Sequence, residues 1–147
     1  MKQFLILLVT AFTSVSPVCA GLGDNDDIID VSYGNLVERH LLDNGTVSTL
    51  YHKDRYLYFV LFDRGRSVLE RYSRTDGREL SPKEISKFLK ANAGHGKWIE
   101  NGTSKGRRFE RSDHKVEATY LEMEGRATLV VRGLGAGTVE KEPGTGR

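Results

Sequence analysis

The residues of this chain whose types could do chemistry are four histidines, a run of acids near residue 25, a glycine-rich C-terminal stretch, and tyrosines interleaved with arginines. The histidines are His40, His52, His95 and His114. A helical zinc pair needs histidines four apart, as in H-E-x-x-H, and none are so spaced. His40 and His52 flank Asp43-Asn44-Gly45 and could meet across a hairpin, but zinc would still want a further ligand. The acid run is Asp24-Asn25-Asp26-Asp27. An EF-hand loop wants oxygen ligands at positions 1, 3 and 5 and glycine at 6. Counted from Asp24, positions 5 and 6 hold Ile28 and Ile29. These acids suit the start of a short helix instead, where side-chain oxygens cap free N–H groups and negative charge meets the helix dipole. Gly133-Leu134-Gly135-Ala136-Gly137 follows a strand-like run, as a phosphate-binding turn would. The phosphate also needs a helix after the glycines, and the remaining residues carry Pro143 and more glycine. No catalytic residue, metal or cofactor is assigned.

The tyrosines and arginines suggest binding rather than catalysis. Tyr51, Tyr56, Tyr58 and Tyr72 fall on neighbouring strand-like runs, with Arg55, Arg71 and Arg107 beside them. Tyrosine and arginine dominate interface energetics because each offers a large contact area with a polar tip. Aromatics on a sheet are usually core, but any of these seven residues that lie on an open face would be binding anchors, and they are the candidate binding set. The chain is read as leaning away from enzymes. The alternative is a small extracytoplasmic hydrolase or ligand-binding protein whose site forms only in three dimensions.

The front of the chain places it. MKQFLILLVTAFTSVSPVCA has a positive start at Lys2, an apolar run from Phe4 to Phe12, and small residues before position 21, the pattern of a secretory signal peptide. The apolar run is too short for a permanent span. Ser16-Pro17-Val18 before Cys19 departs from a lipidation site, so no stable membrane anchor is expected after cleavage. The expected location is periplasmic or secreted. Cys19 is the single cysteine, so residues 21–147 can form no disulfide and hold no thiolate. Removing Lys2 leaves 21 basic residues against 20 acidic ones. Such balance argues against nucleic acid as a partner, since that function needs a basic footprint. The expected partner is a protein of the cell envelope or the medium.

The elements that must position these residues are legible as runs. Residues 28–33 read as a short helix stopped by Gly34. Residues 37–42, 46–52, 55–62 and 67–74 read as strands rich in Val, Tyr, Phe and Leu. Asn44-Gly45 between two such runs is a strong hairpin signal. Ser81-Pro82-Lys83-Glu84 is a capping box with proline at the first helical position. Ile85, Phe88 and Leu89 follow as one apolar stripe, so a helix is expected over 81–92. Strand character returns at 97–100, 106–111, 115–123 and 126–132. The expected fold is α+β: a mainly antiparallel sheet with one or two helices packed on one face. The expected organisation is a signal peptide over 1–20, one domain over 21–132, and a disordered tail over 133–147.

Leu42-Asp43-Asn44-Gly45-Thr46 and Ile99-Glu100-Asn101-Gly102-Thr103 align without a gap. The alignment suggests tandem halves over 24–74 and 79–132 with matched Asn-Gly corners. Asn-Gly-Thr is also a glycan acceptor sequence, but turn chemistry accounts for the Asn and Gly as well as the Thr. Helix, then several antiparallel strands, written twice, resembles the β-lactamase-inhibitor-protein-like architecture. It is also similar to small outer-membrane assembly lipoproteins of the SmpA/OmlA family. The matching residues are Tyr33-Gly34, Gly45, Tyr51 and Phe62-Asp63-Arg64-Gly65-Arg66 before Val68. The resemblance implies a non-catalytic exported module that offers a sheet face to another protein. It transfers no functional residue.

Overall fold

The computed structural model describes residues 20–103 and 106–135. Residues 1–19, 104–105 and 136–147, and with them nearly all of the expected signal peptide and most of the expected tail, lie outside the described residues. The element order is α1 (Asp26–Tyr33), β1 (Asn35–Leu41), β2 (Val47–Lys53), β3 (Tyr56–Asp63), β4 (Arg66–Arg74), α2 (Pro82–Ala91), β5 (Trp98–Thr103), β6 (Gly106–Arg111), β7 (Val116–Met123) and β8 (Arg126–Gly133). The eight strands form one sheet in the order β1-β2-β3-β4-β8-β7-β6-β5. Every neighbouring pair is antiparallel. Each half is a helix followed by a four-strand meander, and the halves join at β4 and β8. The α+β expectation holds.

Local chemistry accounts for both helices. Asn25 caps α1 by accepting from the Ile28 N–H at 3.0 Å, with Asp26 and Asp27 in the first turn. Ser81 caps α2 by accepting from the Glu84 N–H at 3.2 Å, and Glu84 reaches back to the Ser81 N–H at 2.7 Å. Three apolar residues of α2, Ile85, Phe88 and Leu89, are buried against the sheet. The indole N–H of Trp98 donates to the Leu89 carbonyl at 2.6 Å, which also accepts from the Asn92 N–H at 3.0 Å at the end of α2. Ser81→Ala removes the cap and leaves the N3 amide without its partner. It is expected to cost about 1 kcal/mol, read as a lower urea midpoint with an unchanged slope.

The two Asn-Gly pairs have different structures. Asn44-Gly45 turns the chain between β1 and β2, with Gly45 at φ 83°. The Asn44 side chain accepts from the Thr46 N–H at 3.0 Å and the Thr46 hydroxyl at 2.6 Å. Asn101-Gly102 is no corner, contrary to the sequence expectation. β5 runs through both residues, which pair with Arg108 and Arg107, and Thr103 pairs with Gly106. Trp98 pairs with Arg111 at the far end of the hairpin. At the second strand of the pair Gly106 has φ 144°, and a Cβ there would stand 2.7 Å from the Tyr120 carbonyl oxygen.

The core lies between the sheet and the two helices. Tyr56, Tyr58, Val60 and Phe62 of β3 are buried, whereas Leu57, Phe59 and Leu61 are half-buried on the other side. The alternation follows from the two-residue repeat of a strand. Tyr33 of α1 stacks on Tyr58 at 4.3 Å, and Phe88 of α2 stacks on Tyr72 at 4.4 Å. Each helix thus docks through one aromatic stack. Among the described residues no helix is long and apolar enough to cross a membrane.

Candidate functional site

Tyrosine is amphipathic, so a buried ring needs a partner for its hydroxyl. The helices and their flanks supply those partners, and this decides which face of the sheet they cover. The Tyr51 hydroxyl donates to Asp30 of α1. The Tyr56 hydroxyl donates to Glu84 of α2 at 2.6 Å. The Tyr120 hydroxyl accepts from the Leu80 N–H at 2.8 Å. The four tyrosines of the candidate binding set, Tyr51, Tyr56, Tyr58 and Tyr72, are all in the core. They pack against the helices rather than on the open face. Arg55 is exposed in the turn between β2 and β3, where its carbonyl accepts from Thr75. Arg107 lies on the helix side, against Phe109 and paired with Glu100 at 2.6 Å. Of the seven expected binding residues, Arg71 alone points from the middle of the open face.

At the centre of the core stands Glu70, fully buried. Its carboxylate accepts from the hydroxyls of Tyr33 at 2.5 Å, Tyr72, and Ser67 at 2.9 Å. Asn92, just past α2, donates to the Tyr72 hydroxyl at 2.8 Å and accepts from the Leu22 N–H at 2.7 Å. The Tyr33 hydroxyl also reaches the Ala20 carbonyl at 3.0 Å. One network therefore ties residues 20–22, α1, β4 and the end of α2 together. Burial pushes the Glu70 carboxyl above its usual range and outweighs the three donors that favour its charge. Burial likewise pushes the Tyr33 and Tyr72 hydroxyls up.

The folded state holds the Glu70 proton more tightly than the unfolded chain, whose value is near 4.5. This group's contribution is therefore fully favourable below 4.5 and is lost as pH rises through the folded value. Glu70→Gln is expected to flatten the gain in stability on acidification from neutral pH towards 4.5, measured as urea midpoints across that window. Glu84 acts in the opposite sense. Its hydrogen bond from Tyr56 holds its carboxyl down at about 2, so its contribution disappears only in stronger acid.

The opposite face is uncovered by either helix. Cross-strand register aligns Leu50, Phe59, Arg71, Val130, Thr119 and Arg108 in one row across β2, β3, β4, β8, β7 and β6. The next row runs Ser48, Leu61, Leu69, Arg132, Glu117 and Glu110. The apolar members are half-buried. The Arg71 guanidinium lies over the Phe59 ring at 4.8 Å, a cation–π geometry. Glu117, 3% exposed, accepts from Arg108 at 2.6 Å and from Arg132. The two arginines hold its carboxyl down despite its burial. Leu50, Leu57, Phe59, Arg71 and Met123 help to line a hollow of ≈ 420 Å³ at one end of this face.

Other patterns do not converge on chemistry. His40 pairs with Ser48 and His52 with Asn35, so the two histidines stand at opposite ends of their hairpin rather than across from each other. Among the described residues no group of three His, Cys, Asp or Glu could hold a metal. Gly102-Thr103-Ser104-Lys105-Gly106 spells G-x-S-x-G, a match the sequence expectations left out. A nucleophile elbow needs a strand leading into a helix. Here Gly102 and Gly106 lie on paired antiparallel strands, so the context differs. The chain matches no protein-family model, no curated protein and no solved structure. The resemblance drawn from the sequence thus rests on the quoted residues and the helix-plus-strands order.

Proposed function

We propose that the chain is an exported, non-enzymatic protein-interaction module that works in the periplasm or the medium and binds its partner on the open face of the sheet. The observation that carries this reading is the row from Leu50 through Phe59 and Arg71 to Val130. It is apolar with one centred guanidinium, and both helices leave it uncovered. The size is suitable. Eight strands about 4.8 Å apart and about seven residues long give a face of roughly 900 Å², near the ~800 Å² that each partner contributes to a standard interface. Aromatic and arginine anchors surrounded by half-buried aliphatics match the composition of interface centres. Glu70, the acid whose carboxyl burial pushes up, is enclosed and so out of a substrate's reach, which favours binding over hydrolysis. Export rests on the leader pattern, and fractionation of the source cells tests it. The chain should be recovered outside the cytoplasm, shortened by about 20 residues at its N-terminus. Recovery of the uncut chain in the cytoplasm would remove the exported half of the proposal.

A further inference from the structure

The sheet has two edges, β1 and β5, and β1 is exposed along its whole length. All seven of its residues are exposed. Leu36 is 49% exposed, Val37 54% and Leu41 77%, with Leu42 just beyond the strand. Beside them Val31 of α1 is 85% exposed. An edge strand also presents unpaired backbone groups, which template pairing with another chain. Leu42 donates its N–H inwards to Thr46 at 2.8 Å. Antiparallel alternation then turns the N–H and C=O groups of Arg39 and Leu41 outwards.

We infer that β1 pairs antiparallel with β1 of a second copy, joining two sheets into one of sixteen strands across a two-fold axis at Arg39. The strand is complementary to itself in this register. Glu38 faces His40 of the other copy, twice, on the open side. Val37, the residue at the bulge, comes beside Leu41 of the other copy, twice. The two Arg39 side chains meet near the axis, and each is already neutralised by its own Asp26 at 2.5 Å. The axis is perpendicular to the sheet, so both α1 helices lie on the same side of the seam, where Ile28 and Val31 gain cover. A net charge of +2 on the whole chain offers little repulsion between copies. The bulge between Leu36 and Glu38 lies at one end of the strand and leaves 38–41 regular. Pairing β1 with the far edge β5 would not close and would build fibres, whereas the β1–β1 contact is isologous and closes at two copies. This surface is separate from the open face.

Sedimentation equilibrium of the purified chain from about 1 μM to about 1 mM tests the inference. The expected result is a mass that rises with concentration to twice that of the chain and stops there. Leu41→Lys should weaken association at least about a hundredfold, because it places a charge in the apolar seam. His40→Glu should weaken it about tenfold by setting a second carboxylate against Glu38 of the other copy, and adding Glu38→Lys should restore it. Ile99→Lys, on the opposite edge, should change nothing. Circular dichroism of each variant checks folding, which exposed positions should preserve. A monomer throughout, growth beyond the dimer, or a dimer indifferent to Leu41→Lys would overturn the inference.

Discussion

Alanine at Tyr72 is expected to lower the stability of this domain by about 4 kcal/mol, and the thermal midpoint by roughly 15 °C. Tyr72 is 1% exposed and stacks on Phe88 of α2. Tyr33 and Tyr58 meet it edge-on at 6.3 and 5.9 Å. Its removal opens a cavity at the point where α2, β3 and β4 meet, and leaves Glu70 without one donor. Total stability of a domain this size is about 5–15 kcal/mol, so the loss is a large share of it. Tyr72→Phe keeps the ring and removes only the hydroxyl, at an expected cost of about 1–2 kcal/mol. Urea titrations of the two variants separate packing from the polar network. Equal losses would mean that the hydroxyl rather than the ring carries the site. Both variants should bind a partner as the wild type does wherever they remain folded, because Tyr72 faces the helices.

The second large effect belongs to the open face. Phe59→Ala combined with Arg71→Ala is expected to weaken partner binding at least about a hundredfold, as central anchors at interfaces each contribute roughly 2 kcal/mol or more. The same pair should cost the fold far less than Tyr72→Ala. Phe59 is only half-buried, and its ring touches the Arg71 guanidinium rather than a helix. Thermal denaturation and binding titration of the double variant measure the two effects independently. A variant that binds at full strength would remove this row from the interface.

The capping box at Ser81 and the aromatic runs were legible because each is a local signal with a local cause. Helix α2 and the strands follow the sequence expectation to within two or three residues. What the sequence left open was the side of the sheet that the helices cover. β3 is apolar on both sides, so alternation alone could not decide between the tyrosine set and Leu57, Phe59 and Leu61. The decision comes from hydroxyl partners distant in the chain, namely Asp30 for Tyr51 and Glu84 for Tyr56. The phenylalanine and leucines have no polar tip to satisfy and can stay uncovered. Phe59 and Leu50 were therefore missed as candidate contacts, and the one available hint was that tyrosine in a core asks for a polar neighbour.

Glu70 was missed for a related reason. In Ser67-Val68-Leu69-Glu70-Arg71 it reads as a solvated position. Its enclosure involves Tyr33, 37 residues earlier in the chain, and no local pattern carries such a contact. The Asn101-Gly102 pair shows the converse error. The same letters that turn the chain at Asn44-Gly45 continue a strand at Asn101-Gly102, where they pair with Arg108 and Arg107.

Binding through the open face is tested most sharply by a parallel affinity capture with three immobilised chains. These are the wild type, Phe59→Ala with Arg71→Ala, and Tyr56→Phe, exposed to envelope extract and culture medium of the source organism and read by mass spectrometry. One saturable partner is expected on the wild type and on Tyr56→Phe, absent from the open-face variant. A partner held equally by all three, or none enriched on the wild type, would contradict binding through this face.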